Sequence, residues 1–270
     1  MQSDIPGRDS LASATILVTR PKAQAARLVT LVEQCGGQAV VLPLIDIVAA
    51  PQSIELDRLL NEINRFDILI FVSRNAVDHG MMLMRRLVAT PSPRAIILAV
   101  GSATAAALEN LDFKNVIRPE GRSNSEELLK CEALKHVAGR SVLIFRGQEG
   151  RELIADSLRR RGAVVEYASV YQRVATHLDI RISLKAWLKC DQPMLVLTSA
   201  AAAEVLMERT PEDLATQMRR IPLVVFSERL GERLRHAGWK GPIGVSERTS
   251  DAGIVATLGA LHQLNLKHMS

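Results

Sequence analysis

The chain has 270 residues, 47% hydrophobic and 23% charged, enough for one large core or two modest ones, which excludes a disordered or low-complexity protein. Its net charge of +5 suits an acidic partner, but the basic residues are scattered. Aromatics, at 3%, are too few for the stacking platforms that bind single-stranded nucleic acid. Three distant cysteines and six histidines without metal spacing exclude a disulfide framework or a zinc motif.

No apolar run approaches the ~18 residues that cross a membrane. Residues 1–13 lack an apolar stretch after a basic start, so they read as a loose N-terminal tail rather than a signal peptide. The expected setting is the cytoplasm, with reduced thiols.

Strands and helices then alternate. Ile16–Thr19 has a buried-strand pattern ended by Arg20-Pro21. Ala25, Leu28, Val29 and Val32 recur at helical spacing until Gly36-Gly37, and a second strand follows over Ala39–Leu42. Strand-helix-strand is the unit of parallel α/β folds.

A shift of about 126 residues overlays much of the chain on itself. Ile16–Arg20 falls on Val142–Arg146, and Asp67–Ser73 on Pro193–Ser199. Leu98–Gly101 falls on Val224–Ser227, and Leu108 on Leu234. Cys35-Gly36-Gly37 meets Arg160-Arg161-Gly162 if one residue is dropped. Ser123-Asn124-Ser125 matches Thr249-Ser250-Asp251, and Ser123 with Glu126 has the spacing of a capping box. Two similar parallel-sheet α/β domains are expected. Pro43–Val48 and Ser169–Val174 hold equivalent places as extended segments leading away from their units, and could cross between the domains as a two-stranded β linker.

Candidate site residues lie at strand C-terminal ends, where open parallel sheets hold ligands. Arg20 and the Arg146–Arg151 loop offer forked donors and glycine-freed N–H groups for anions, although a tight turn with solvated arginines explains them equally. Ser73, Ser199 and Ser227 each precede a helix and could cap it or face a ligand, as could the Gly101–Thr104 turn. No nucleophile elbow surrounds these serines and no acid/base dyad stands out. Tyr171, one of two tyrosines, sits in a crossing segment; phenols are proton donors at neutral pH, but a half-buried strand residue is the plainer reading.

Taken in order, Val18–Pro21, Pro43–Ile47, Asp67–Val77, Val100–Thr104, Arg146-Gly147, Gly150-Arg151, Val170–Arg173 and Thr198-Ser199 resemble the uroporphyrinogen-III synthase family over about residues 15–262. The resemblance implies a discontinuous domain of 10–43 plus 174–270 and a second of 44–173, with linker strands near 43–48 and 169–174 and substrate between the domains. It also implies a cofactor-free lyase of haem biosynthesis that needs no metal. Its substrate would be hydroxymethylbilane, a linear tetrapyrrole with eight carboxylates, cyclised to uroporphyrinogen III with ring D inverted and water lost. Tyr171 matches the tyrosine proposed to assist hydroxyl departure, and Thr104, Ser73 and Ser199 match polar cleft positions. Arg20, Arg146 and Arg151 are added as carboxylate contacts on charge and position. Many relatives carry Gly-x-x-Thr where this chain has Ser227-Glu228-Arg229-Leu230, so Ser227 or Arg229 would replace that threonine.

A monomer is expected, with hydroxymethylbilane synthase as a transient partner and neither nucleic acid nor membrane as one. The alternative is a two-domain protein that binds an anionic small molecule without chemistry.

Overall fold

The computed structural model describes residues 7–269, with side chains as far as 266. In chain order the elements are β1 (Thr15–Val18), α1 (Lys22–Gln34), β2 (Gln38–Val41), β3 (Ile45–Ala49), α2 (Ile54–Asn61), β4 (Ile68–Phe71) and α3 (Arg74–Arg86). Next come β5 (Ile96–Ala99), α4 (Ser102–Glu109), α5 (Ser125–Leu128), β6 (Ser141–Gly147), α6 (Leu153–Arg160) and β7 (Val164–Ala175). The chain ends with α7 (Ile180–Trp187), β8 (Pro193–Val196), α8 (Ala200–Arg209), α9 (Glu212–Met218), β9 (Leu223–Val225), α10 (Glu228–His236), β10 (Ile243–Val245) and α11 (Asp251–Met269).

Two compact units result. One takes the chain up to Asp46 and again from Val174 onward; the other is Ile47–Arg173. The first holds a sheet in the order β10-β9-β8-β1-β2, parallel throughout. The second has the order β3-β7-β6-β4-β5, with β7, β6, β4 and β5 parallel.

Both sheets are covered on both faces, which is why their strands read as unbroken apolar runs. In β4 and β6, Leu69, Phe71, Leu143 and Phe145 enter one core while Ile68, Ile70, Val142 and Ile144 enter the other. Successive strand residues point to opposite faces, so each strand feeds two cores. In the first unit Leu17 and Leu195 share one core, and Ile16, Val18, Met194 and Val196 the opposite one.

The offset of about 126 residues relates whole elements. Helices α2 and α7, α3 and α8, α4 and α10, and α5 and α11 start at equivalent positions. Gly36 and Gly162, at φ +80 and +85, are the equivalent left-handed residues that follow α1 and α6. No residue is therefore dropped between the copies, and Gly36 rather than Gly37 matches Gly162. Each unit joins the strand-helix-strand of one copy to the remainder of the other: β1-α1-β2 with β8 and β9, and β6-α6-β7 with β4 and β5.

Three local expectations need correction. Residues 1–6 of the expected tail lie outside the described residues, but 7–13 are not loose. Leu11 is fully buried and its N–H bonds the Cys35 carbonyl. The capping residue before α5 is Asn124, whose side chain accepts the Glu127 N–H at 2.8 Å, one position beyond the Ser123–Glu126 pair. The two crossing segments also differ. Pro43 cannot donate to a ladder, and a break separates β2 from β3, whereas the equivalent stretch runs on through Ser169 as the 12-residue β7.

Candidate active site

In the second unit the C-terminal ends of β4 and β6 meet β7 around a cavity of about 220 Å³, whose wall includes Ser73, Arg146, Gly150, Arg151, Tyr167 and Tyr171. The pairing of β6 with β7 is irregular at this point: Arg146 pairs with Ser169, but Gly147 with Tyr171. This bulge re-aims the strand, and Val170 and Tyr171 enter the same core although they are neighbours in sequence. Tyr171 is 4% exposed, with its hydroxyl 3.2 Å from Ser73 Oγ. Ser73 also caps α3 by accepting the Ala76 N–H. His79, on the same helix, stacks on the Tyr171 ring with centroids 5.9 Å apart, and burial holds its pKa below the usual value.

Arg146 is buried, and its charge is matched inside the unit. One guanidinium nitrogen donates to Glu152 Oε1 at 2.7 Å, Nε donates to the Gly147 carbonyl, and the group lies over the Tyr167 ring at 4.6 Å. Tyr167 donates to the other oxygen of Glu152. Glu152 titrates below the usual carboxylate range, chiefly through the Tyr167 hydrogen bond and then through Arg146. Burial, and then Glu152, push the Tyr167 phenol up. A Cβ at Gly150 would fall 2.8 Å from Arg146 Nη2, so a side chain there would make the guanidinium shift. Arg151 is exposed and pairs with Glu126 at 3.2 Å.

In the first unit Arg20, the equivalent of Arg146, is also neutralised locally. It donates to Asp251 at 2.5 Å and to Thr198 Oγ1 at 3.2 Å, and lies over the Phe226 ring at 5.1 Å. Ser199 and Ser227 cap α8 and α10 by accepting the N–H groups of Ala202 and Leu230. Ser227 and Arg229 are exposed. Thr104, in the first turn of α4, is 5% exposed, and its side chain is not part of the cavity wall.

The model of the family described as uroporphyrinogen-III synthase HemD matches residues 26–256. The uroporphyrinogen-III synthase of Escherichia coli K12 is 31% identical over 245 residues, covering 90% of this chain and 99% of its own length. The chain belongs to the uroporphyrinogen-III synthase family.

The Salmonella typhimurium uroporphyrinogen-III synthase is likewise 31% identical over 90% of this chain and 99% of its own. Two solved structures share the fold. The Helicobacter pylori uroporphyrinogen-III synthetase has a TM-score of 0.56 at 18% identity, covering 94% of this chain and 99% of its own. A mutant uroporphyrinogen III synthase of Thermus thermophilus has 0.54 at 19%, covering 95% and 98%.

In this member of the uroporphyrinogen-III synthase family, Ser73, Tyr171, Arg146 and Arg151 gather around one cavity of the second unit. Arg20, Ser199, Ser227 and Arg229 belong to the first unit. Sequence reading missed Tyr167, Glu152, His79 and Asp251. Glu152 had a signal, since it follows the Arg146–Arg151 loop directly; Asp251 lies far from Arg20 in sequence and had none. Among the described residues no group of three or more His, Cys, Asp or Glu is placed to hold a metal, and no helix is long and apolar enough to cross a membrane.

Proposed function

We propose that the chain cyclises hydroxymethylbilane to uroporphyrinogen III, with inversion of ring D and loss of water, as a lyase of haem biosynthesis. Family membership over nearly the whole chain supports the reaction. The observation that carries the site is the Ser73–Tyr171 hydroxyl pair on the wall of a cavity that arginines also line.

The chemistry needs few protein groups. A proton delivered to the bilane hydroxyl lets the C–O bond break and water leave, giving an azafulvene cation. The ring-D pyrrole then attacks through its substituted carbon, forming a spiro intermediate that fragments and recloses, and a ring proton is lost. Tyr171 is the proton donor in this reading, and Ser73 orients its hydroxyl. Arg146 and Arg151 bind carboxylates on one unit; Arg20, Ser199, Ser227 and Arg229 offer donors on the other. Thr104 is retained from the family position. Most of the selectivity for isomer III comes from positioning. The reading includes no cofactor or metal, a monomer in the cytoplasm, and transient hand-over from hydroxymethylbilane synthase. Nothing among the similarities favours a non-catalytic binding protein.

The test is isomer analysis. Hydroxymethylbilane made enzymatically is incubated with the protein, oxidised, and uroporphyrins I and III are separated. The expected result is mostly isomer III, unchanged by chelator. Isomer I alone from folded protein would overturn the assignment and revive the binding-protein reading.

A further inference from the structure

The Arg146–Glu152–Tyr167 cluster is built as a carboxylate site that already contains a carboxylate. Arg146 gives one oxygen a charge-assisted hydrogen bond and Tyr167 gives one to the other. The two sides differ sharply in exposure. The Arg146 side chain is 7% exposed and lies over the Tyr167 ring, while Glu152 is 52% exposed just before α6. The anchored partner is the cation, and the one open to water is the anion. Arg146, Tyr167 and Gly150 also line the 220 Å³ cavity, so a carboxylate entering it meets the same two side chains.

We infer that Glu152 is a resident stand-in, displaced when a carboxylate arm of the ligand takes the donors of Arg146 and Tyr167. The ligand class rests on the reading under Proposed function; the exchange rests on the cluster itself. Energetically the exchange is like for like. A buried guanidinium left without an anion would be heavily penalised, so an apo protein needs a stand-in. Exchange substitutes one carboxylate for another while Glu152 swings into water. Its depressed pKa keeps it charged at neutral pH, so it competes as an anion.

Specificity follows from this arrangement. A neutral or singly apolar arm cannot displace Glu152, so the cluster selects against ligand arms that lack a carboxylate. Glu152 would thus set the affinity threshold of this subsite without taking part in bond making.

Glu152→Gln tests it, keeping the shape and removing the competing charge. Propionate is titrated into wild type and E152Q, read by NMR at the Arg146 Nε–H, with thermal melts as the folding control. Propionate should bind E152Q about tenfold more tightly, and KM for hydroxymethylbilane should fall several-fold. Glu152→Asp, which reaches less far, should lie between the two and serves if E152Q folds poorly. Equal or weaker propionate binding in folded E152Q and E152D overturns the exchange. Tighter propionate binding in a protein whose wild type makes only isomer I leaves the exchange standing and removes the synthase reading instead.

Discussion

The hydroxyls of Ser73 and Tyr171 lie 3.2 Å apart, joining the cap of α3 to a buried ring on β7. Ser73 is only half-buried, so when the phenol oxygen is removed its hydroxyl can turn to solvent while still accepting the Ala76 N–H. Tyr171→Phe should therefore cost about 1 kcal/mol or less in stability. Turnover should fall on the order of 100-fold if the phenol delivers the proton. Melting curves and isomer-III initial rates measure the two effects separately. Wild-type turnover in the variant would end the acid role.

Arg20 has a side-chain exposure of 13% and Asp251 of 16%, so their ion pair is largely withdrawn from water. Asp251→Asn keeps the volume but removes the counter-charge from a cation that still faces Thr198 and Phe226. The expected loss is about 2–3 kcal/mol, below the 3–5 of a fully buried pair because some solvent reaches it. Denaturant unfolding of D251N would show it as a lower midpoint with an unchanged slope. A midpoint equal to wild type would mean that water screens this pair.

The sheets were legible because strands covered on both faces must be apolar throughout, as Ile68–Phe71 and Val142–Phe145 are. The repeat was legible because serine caps recur with the strands, Ser73 matching Ser199, whereas the turn glycines were set one residue out of step and only the positive φ of Gly36 and Gly162 pairs them. What stayed hidden was partner choice. Arg20 and Arg146 hold equivalent places, yet Asp251 answers one and Glu152 the other, from non-equivalent positions. Strand patterning sets where an arginine emerges, but its counter-ion depends on side-chain packing; adjacency to the Arg146–Arg151 loop hinted at Glu152, and nothing hinted at Asp251. The bulge at Gly147–Tyr171 was hidden for a similar reason, since alternation alone would send Val170 and Tyr171 to opposite faces.

His79 carries a buried Nδ1 without a hydrogen-bond partner, and burial lowers its pKa more than Asp78 raises it. A base with a depressed folded pKa takes its proton first in the unfolded chain, so the sign is fixed. Stability is full above the unfolded value near 6.5, and is lost as pH falls from there through the folded value. His79→Phe removes the titration while keeping a ring against Tyr171. The variant should show a flatter dependence of melting temperature between about pH 7 and 5. Parallel curves for wild type and H79F would refute the assignment.

Gly147 leaves little room for a side chain beside the Tyr171 ring. A Cβ there would lie 2.8 Å from Tyr171 Cε2 and 2.9 Å from Cζ, closer than real side chains approach. The ring cannot back away freely, since it is 4% exposed and stacked against His79. Gly147→Ala should therefore cost about 1–3 kcal/mol through overpacking. It should also move the phenol off Ser73, so turnover should fall with stability. Overpacking alone would lower stability without depending on the hydroxyl, and a double-mutant cycle separates the two effects. If displacement of the phenol is what harms catalysis, G147A adds little to the turnover loss of Tyr171→Phe, because the group it displaces is already gone. If the losses multiply, Gly147 acts on the reaction by another route, and the bulge then positions more of the site than its tyrosine.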